Sequence, residues 1–216
     1  GRAPAERLAP GHTRHELRIG GPVVTAGYLD DPAATAASRD EEGFLRTGDL
    51  VTFNDPDDPA QGLAFAGRLA EEFKLGSGTW VAGGALRAEL LKALAPWVGE
   101  LVVCGDGRDA IGLLAWPNRA ALERDFGVAA DAPLDGAAAA PLRAALAGRL
   151  AAHNAAHPGG STRVRRCLLL AEPPSAAAHE LSDKGTVNRS AVLARRQADV
   201  ERLYADPPPP HVLTPG

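Results

Sequence analysis

Leucine returns at every fourth position in two stretches of this chain, Leu86-Leu90-Leu94 and Leu142-Leu146-Leu150. That spacing lies close to the 3.6-residue turn, so each stretch lays an apolar stripe along one helix face. It predicts helices over 85–94, stopped by Pro96, and over 139–156, closed by Pro158-Gly159-Gly160. The other apolar runs are short and extended in type: 16–24, 45–53, 63–66, a hairpin over 73–81, a second over 101–104 and 111–116, and 164–170. Asp31-Pro32 opens a short helix running to Ser38, and 188–204 reads as a terminal helix. Strands mixed with helices, without regular strand–helix–strand alternation, give the α+β class.

Residues 1–15, rich in Pro, Gly, Arg and His, read as a lead-in, and the Pro run after Asp206 reads as a tail. A boundary falls at Gly67-Arg68, dividing 1–66 from 67–204, with 205–216 as the tail. A chain of 216 residues has ample length for one large domain or two small ones. Its net charge of −4 gives no support to nucleic-acid binding. No apolar run approaches a membrane span, and no charged-then-apolar signal segment opens the chain. Cys104 and Cys167 are too few for a disulfide framework or a metal site, so reduced thiols in the cytoplasm are the simplest reading.

Several residues carry chemistry. In Gly43-Phe44-Leu45-Arg46-Thr47-Gly48-Asp49-Leu50, a carboxylate stands just before an apolar run. Asp49 there can accept two hydrogen bonds from a vicinal diol, although Gly-Asp before a strand is usually only a turn. Lys184 lies between Asp183 and Gly185, in a flexible stretch before a helix, in a chain with only three Lys (74, 92, 184), so Lys is not the default surface cation here. Gly76-Ser77-Gly78 lacks the Gly-Lys-Ser/Thr ending of a phosphate loop and reads as a tight hairpin. His153 and His157 stand four apart, as zinc ligands do, but Asn154 replaces the Glu of that motif, which favours a capping or partly buried role. The acidic loop 54–59 reads as a solvated turn, since calcium loops need a denser set of oxygen ligands. The sequon Asn188-Arg189-Ser190 would go unused in a cytoplasmic chain. No metal-binding set is expected among these residues.

Gly27-Tyr28-Leu29-Asp30-Asp31-Pro32, Gly43 to Leu50, and Gly67-Arg68 with Lys74, in that order, resemble the adenylate-forming acyl-CoA synthetase superfamily. Gly67 to Leu75, Gly78-Thr79-Trp80-Val81 and Asp183-Lys184-Gly185-Thr186-Val187-Asn188-Arg189 are most similar to feruloyl-CoA synthetases and related aryl-CoA ligases. The resemblance covers about residues 16–204. It implies the β-rich end of a large AMP-binding domain (1–66), then a small, mobile α+β C-terminal domain (67–204). It implies ATP and CoA as co-substrates and Mg2+, with the magnesium ligand and the phosphate loop in a preceding N-terminal domain. The chain is therefore expected to be a C-terminal segment that does not complete the reaction alone. An aromatic carboxylate would be joined to AMP and then passed to CoA. Lys184 would be catalytic, Asp49 and Arg68 would face the ribose hydroxyls, and Lys74 would assist a CoA phosphate. Gly78 would let the pantetheine arm of CoA pass, with a hinge near Ala70. A carrier-protein loader and a non-catalytic interaction module are the alternatives.

Overall fold

A computed structural model describes residues 14–216. The lead-in, up to residue 13, lies outside the described residues. Between Glu71 and Glu72 the chain divides into two compact units.

The first unit is an antiparallel sheet in the order β1-β2-β3, made of β1 (His15–Ile19), β2 (Leu45–Phe53) and β3 (Leu63–Arg68), with a short helix α1 (Pro32–Ala37). Asp31 caps α1 by accepting the Ala34 N–H at 2.8 Å, and Pro32 supplies a first-turn residue with no N–H to satisfy. Strand β1 stops at Ile19 instead of running to Val24. Gly20 lies against the Phe44 ring, where a Cβ would come within 2.7 Å, and Gly21 turns the chain at φ +121°. The acidic loop is held by its own amides. Asp55 accepts from Asp57 N at 2.9 Å, and Asp58 accepts from Ala60 N at 3.1 Å and from the Gln61 amide at 3.0 Å.

The second unit opens with the hairpin β4 (Glu72–Lys74) and β5 (Trp80–Ala82), which leads into α2 (Gly83–Leu94). A four-stranded sheet follows: β6 (Val98–Cys104), β7 (Ile111–Pro117), β8 (Val164–Leu169) and β9 (Val212–Leu213). β6 and β7 form an antiparallel hairpin, β8 lies parallel to β7, and β9 closes antiparallel on β8. The parallel step is bridged by α3 (Arg119–Phe126) and α4 (Ala140–Ala156), and α5 (Arg189–Arg195) and α6 (Gln197–Tyr204) follow β8.

Alternation along the strands explains their nearly unbroken apolar runs, because both faces of this sheet are covered. Leu101, Val103, Leu113 and Cys167 face a core formed with the leucine stripes of α2 and α4. Val102, Cys104, Leu114 and Leu168 face a second core completed by Val192 and Leu203 of α5 and α6. Both thiols are buried, and burial pushes each up to about 12, which suppresses the reactive thiolate.

Three further elements differ from the sequence expectation. Helix α3 is an addition: only Ala121 and Leu122 are buried in it, so its apolar stripe is thin. The terminal helix is two helices, broken at Arg196 (φ −101°, ψ 32°), where the side chain turns inward. The Pro-rich tail is not free to its end, because Val212 and Leu213 are buried and pair with Leu168 and Cys167.

Candidate functional site

Asp49 owes its position to a bulge. Glu16 pairs with Leu50 and Arg18 with Arg46, so β2 spends two more residues than β1 across the same step. Gly48 takes the left-handed conformation this demands, at φ +70°. Thr47 pins the bulge: its hydroxyl donates to the Leu17 carbonyl at 2.7 Å and accepts the Asp49 N–H at 3.1 Å. On its other side Asp49 faces Arg68 of β3, with Arg68 Nε 3.0 Å from Oδ1. The N–H is not aimed along that vector, so Oδ1 is covered, has an ionic partner and has no hydrogen bond. The Arg68 side chain is 58% exposed, and an ion pair this open holds weakly. The sequence-predicted pair is thus brought together as a carboxylate beside a displaceable guanidinium.

Lys74 and Gly78 share the β4–β5 hairpin. Lys74 pairs with Trp80, and its Nζ stands 4.8 Å from the indole centroid. The tip is tight: Gly78 N donates to the Leu75 carbonyl at 2.8 Å, Leu75 N to the Thr79 carbonyl at 2.9 Å, and Gly78 sits at φ +83°. The neighbouring β6–β7 turn braces it, through Gly76 N to the Arg108 carbonyl at 2.7 Å and Gly107 N to the Lys74 carbonyl at 2.9 Å. Gly105 allows this approach. A Cβ there would lie 2.9 Å from Phe73 and 3.0 Å from Leu75, at φ +148°. Gly105→Ala is therefore expected to destabilise the protein by about 1–3 kcal/mol, the usual cost of overpacking. The check is the urea midpoint, and an unchanged midpoint would show that the hairpin yields freely.

Lys184 sits at the tip of another hairpin. Leu181 and Val187 form a bridge, Gly185 N donates to the Ser182 carbonyl at 2.8 Å, and Ser182 N donates to the Thr186 carbonyl at 2.8 Å. Gly185 takes φ +75°, as a residue following such a turn must. The sequence suggested a flexible stretch; the structure has an ordered turn. Lys184 is exposed and makes no hydrogen bond or ion pair with the described residues.

Beneath this turn lies a cluster that sequence reasoning missed. Glu180 is fully buried and accepts from Arg196 Nε at 2.7 Å, Arg195 Nη1 at 2.8 Å and Ser175 N at 2.8 Å. Hydrogen bonding from Arg196 outweighs the cost of burial, and with the Ser175 and Arg195 contacts it holds the Glu180 carboxyl down at about 2. The only sequence signal was the Arg195-Arg196 pair inside an otherwise ordinary helix.

His153 is buried, with Nε2 3.2 Å from the Thr162 carbonyl, and stacks on His157 at 4.6 Å beside an open groove of about 500 Å3 between α2 and α4. Among the described residues no group of three or more His, Cys, Asp or Glu side chains is placed to hold a metal ion.

Residues 75–207, which include the Gly78 hairpin and the Lys184 turn, match the AMP-binding enzyme C-terminal domain. The chain belongs to this family. As a member of the AMP-binding enzyme C-terminal domain family, it is similar over 92% of its length to the A domain of carboxylic acid reductase from Segniliparus rugosus, solved with AMP and a co-purified carboxylic acid. That likeness has 28% identity and a TM-score of 0.71, and covers 29% of that chain. It is 40% identical over 82 residues to 4-coumarate–CoA ligase 1 of Petroselinum crispum, covering 38% of this chain and 14% of the ligase. It is 55% identical over 53 residues to 4-coumarate–CoA ligase-like 6 of Oryza sativa subsp. japonica, covering 24% of this chain and 9% of that protein. The chain thus spans less than a third of the relatives it matches. The mixed α+β architecture is that of adenylation domains. Among the described residues no helix is long and apolar enough to cross a membrane.

Proposed function

We propose that this chain is the C-terminal part of an ATP-dependent acid–thiol ligase, which joins a carboxylate to AMP with release of pyrophosphate and then passes the acyl group to CoA. One observation carries the reading. The segment matching the AMP-binding enzyme C-terminal domain includes an ordered turn that presents the exposed Lys184 ammonium at its tip.

In the first half-reaction Lys184 would lie between the substrate carboxylate and the α-phosphate of ATP. It would screen their repulsion and stabilise the charge of the pentavalent transition state. Asp49 would accept hydrogen bonds from the ribose hydroxyls, with Arg68 moving from ion pair to nucleotide. In the second half-reaction the Gly76–Gly78 hairpin would admit the pantetheine arm and Lys74 would meet a CoA phosphate. The exchange would turn on residues 68–70, next to the boundary between the two units. The magnesium ion accompanying ATP would be held outside the described residues, in the large domain that is the partner of this one. A cytoplasmic setting and a partnership with small molecules instead of nucleic acid fit this chemistry.

The substrate class we favour is an aromatic carboxylate of the hydroxycinnamate type, feruloyl among them, supported by the 4-coumarate–CoA ligases among the relatives. A second reading, loading of a carrier-protein thiol, is supported by the likeness to a carboxylic acid reductase A-PCP didomain. The test is carboxylate-dependent pyrophosphate release by the full-length protein, with hydroxycinnamates set against aliphatic acids and CoA against a carrier thiol. Release with no carboxylate tried would overturn the proposal.

Asp49→Asn in the same protein is expected to raise KM for ATP ten- to a hundred-fold, since hydrogen bonds to a charged group contribute about 1.5–3 kcal/mol. Steady-state kinetics will check it. An unchanged KM for ATP would remove Asp49 from the nucleotide site.

A further inference from the structure

We infer that Glu180 is a positioning residue for acyl-adenylate formation, acting through the turn that carries Lys184; this rests on the role proposed above for Lys184.

The loop between β8 and α5 has an exposed tip and a buried root. At the root Glu180 is anchored by backbone as well as side chain: its N–H donates to the Ser175 carbonyl at 3.0 Å, and its carbonyl accepts from Asn188 N at 2.8 Å. That second bond and the Leu181–Val187 bridge close the hairpin at its base, so the path from Glu180 to Lys184 is tied at its root and at its turn. The side chain is fixed in turn by the helix break. Arg196 reaches Glu180 with Nε at 2.7 Å and Nη2 at 3.1 Å, donates to the Pro173 carbonyl at 3.0 Å, and lies over Trp116, 5.3 Å from its ring. Trp116 of β7 donates from Nε1 to the Glu172 carbonyl at 2.7 Å. The Glu180 carboxylate thus ties Ser175 to the helix junction, its backbone ties the root to Asn188, and Arg196 carries the connection on to Trp116 of the central sheet.

Fold stability alone does not require such an arrangement. A buried ion pair can often be replaced by apolar side chains without loss, whereas its geometry restricts where the attached backbone can lie. The backbone attached here leads directly to the one exposed Lys of the loop. A displacement of about 1 Å in a positioned group can cost about a hundredfold in rate. A loosened root would thus reach the chemistry without any contact between Glu180 and substrate.

The test uses the full-length enzyme and measures the two half-reactions separately, for wild type, Glu180→Gln, Arg195→Gln, Lys184→Ala and the Glu180→Gln/Lys184→Ala pair. Glu180→Gln keeps size and the Ser175 contact but loses the charge. We expect at least about a tenfold fall in the rate of acyl-adenylate formation, with KM for ATP and the transfer from preformed acyl-adenylate close to wild type. On the Lys184→Ala background the same substitution should have little further effect. Arg195→Gln, at a half-exposed side chain, should give a smaller loss of the same pattern, and it decides the question if Glu180→Gln does not fold. Equal damage to both half-reactions, or an undiminished effect on the Lys184→Ala background, overturns the proposal. If Lys184→Ala forms adenylate at the wild-type rate, the role of Lys184 falls, and this inference with it. If Lys184→Ala is inactive while the folded Glu180 or Arg195 variant runs at full rate, only this inference falls.

Discussion

Lys184→Ala in the full-length enzyme is expected to slow acyl-adenylate formation by about a hundred- to a thousand-fold, the loss typical of one well-placed donor to a developing charge, about 3–4 kcal/mol. Ser182 and Gly185 close the turn, and the Lys184 side chain leaves it exposed and without a partner among the described residues. Its removal should leave the fold intact, so the loss ought to appear in kcat with an unchanged melting temperature. Transfer of the acyl group from preformed acyl-adenylate to CoA should continue at close to the wild-type rate. Arg in place of Lys should restore little, because a planar fork on a longer stem does not deliver a compact ammonium to the same point. The measurement is pyrophosphate release against thioester formation from synthetic adenylate. Equal loss in both would contradict the assigned role.

Glu180→Ala is expected to cost about 3–5 kcal/mol of stability near neutral pH, the range for removing one partner of a buried pair, since Arg196 is left charged and enclosed. The pH dependence has a definite sign. The Glu180 carboxyl sits at about 2 in the folded chain against an ordinary 4.5, so its contribution is complete above about 4.5 and drains away as pH falls towards 2. A shift of that size corresponds to about 3 kcal/mol at 1.36 kcal/mol per pH unit. Urea titrations at pH 7, 4 and 3 on wild type and variant should therefore converge as the acid deepens. The comparison with the variant is needed because Asp125 is also held down at about 2, by Arg124 and then Trp97, and weakens over the same range. A gap between the two proteins that stays constant from pH 7 to 3 would exclude Glu180 as its origin.

The sequence disclosed whatever depended on neighbours in the chain. The leucine stripes of α2 and α4 lie in the core as their spacing requires, and the runs 45–53 and 111–116 became strands with boundaries close to those expected. Arg196 shows where local reading ends. Nothing around it in the sequence disfavours helix, and the break follows from a carboxylate sixteen residues earlier. Strand β9 was hidden for a similar reason: two apolar residues after a Pro run acquire meaning only beside the open edge of β8. Helix α3 had legible ends in Asn118, whose side chain accepts from Ala121 N, and left-handed Gly127, but lacked an apolar stripe between them. In the candidate site, Asp49 beside Arg68 was a cross-strand pair and could be read from short motifs. The Glu180 knot joins distant segments through side chains, which short motifs do not encode.

The double-sided core has a mechanical meaning. Phe73, Leu75 and Val81 seat the Gly78 hairpin against one face of the four-stranded sheet, while Leu170 and Val187 seat the Lys184 loop against the other. In the proposed function that sheet would serve as a stiff plate with the hairpin and the loop on opposite faces, so that presenting one would withdraw the other. On the proposed reading, ordering of the two half-reactions needs no separate signal: a plate that turns as one body cannot offer its ammonium and its acceptor hairpin to the same point at the same time.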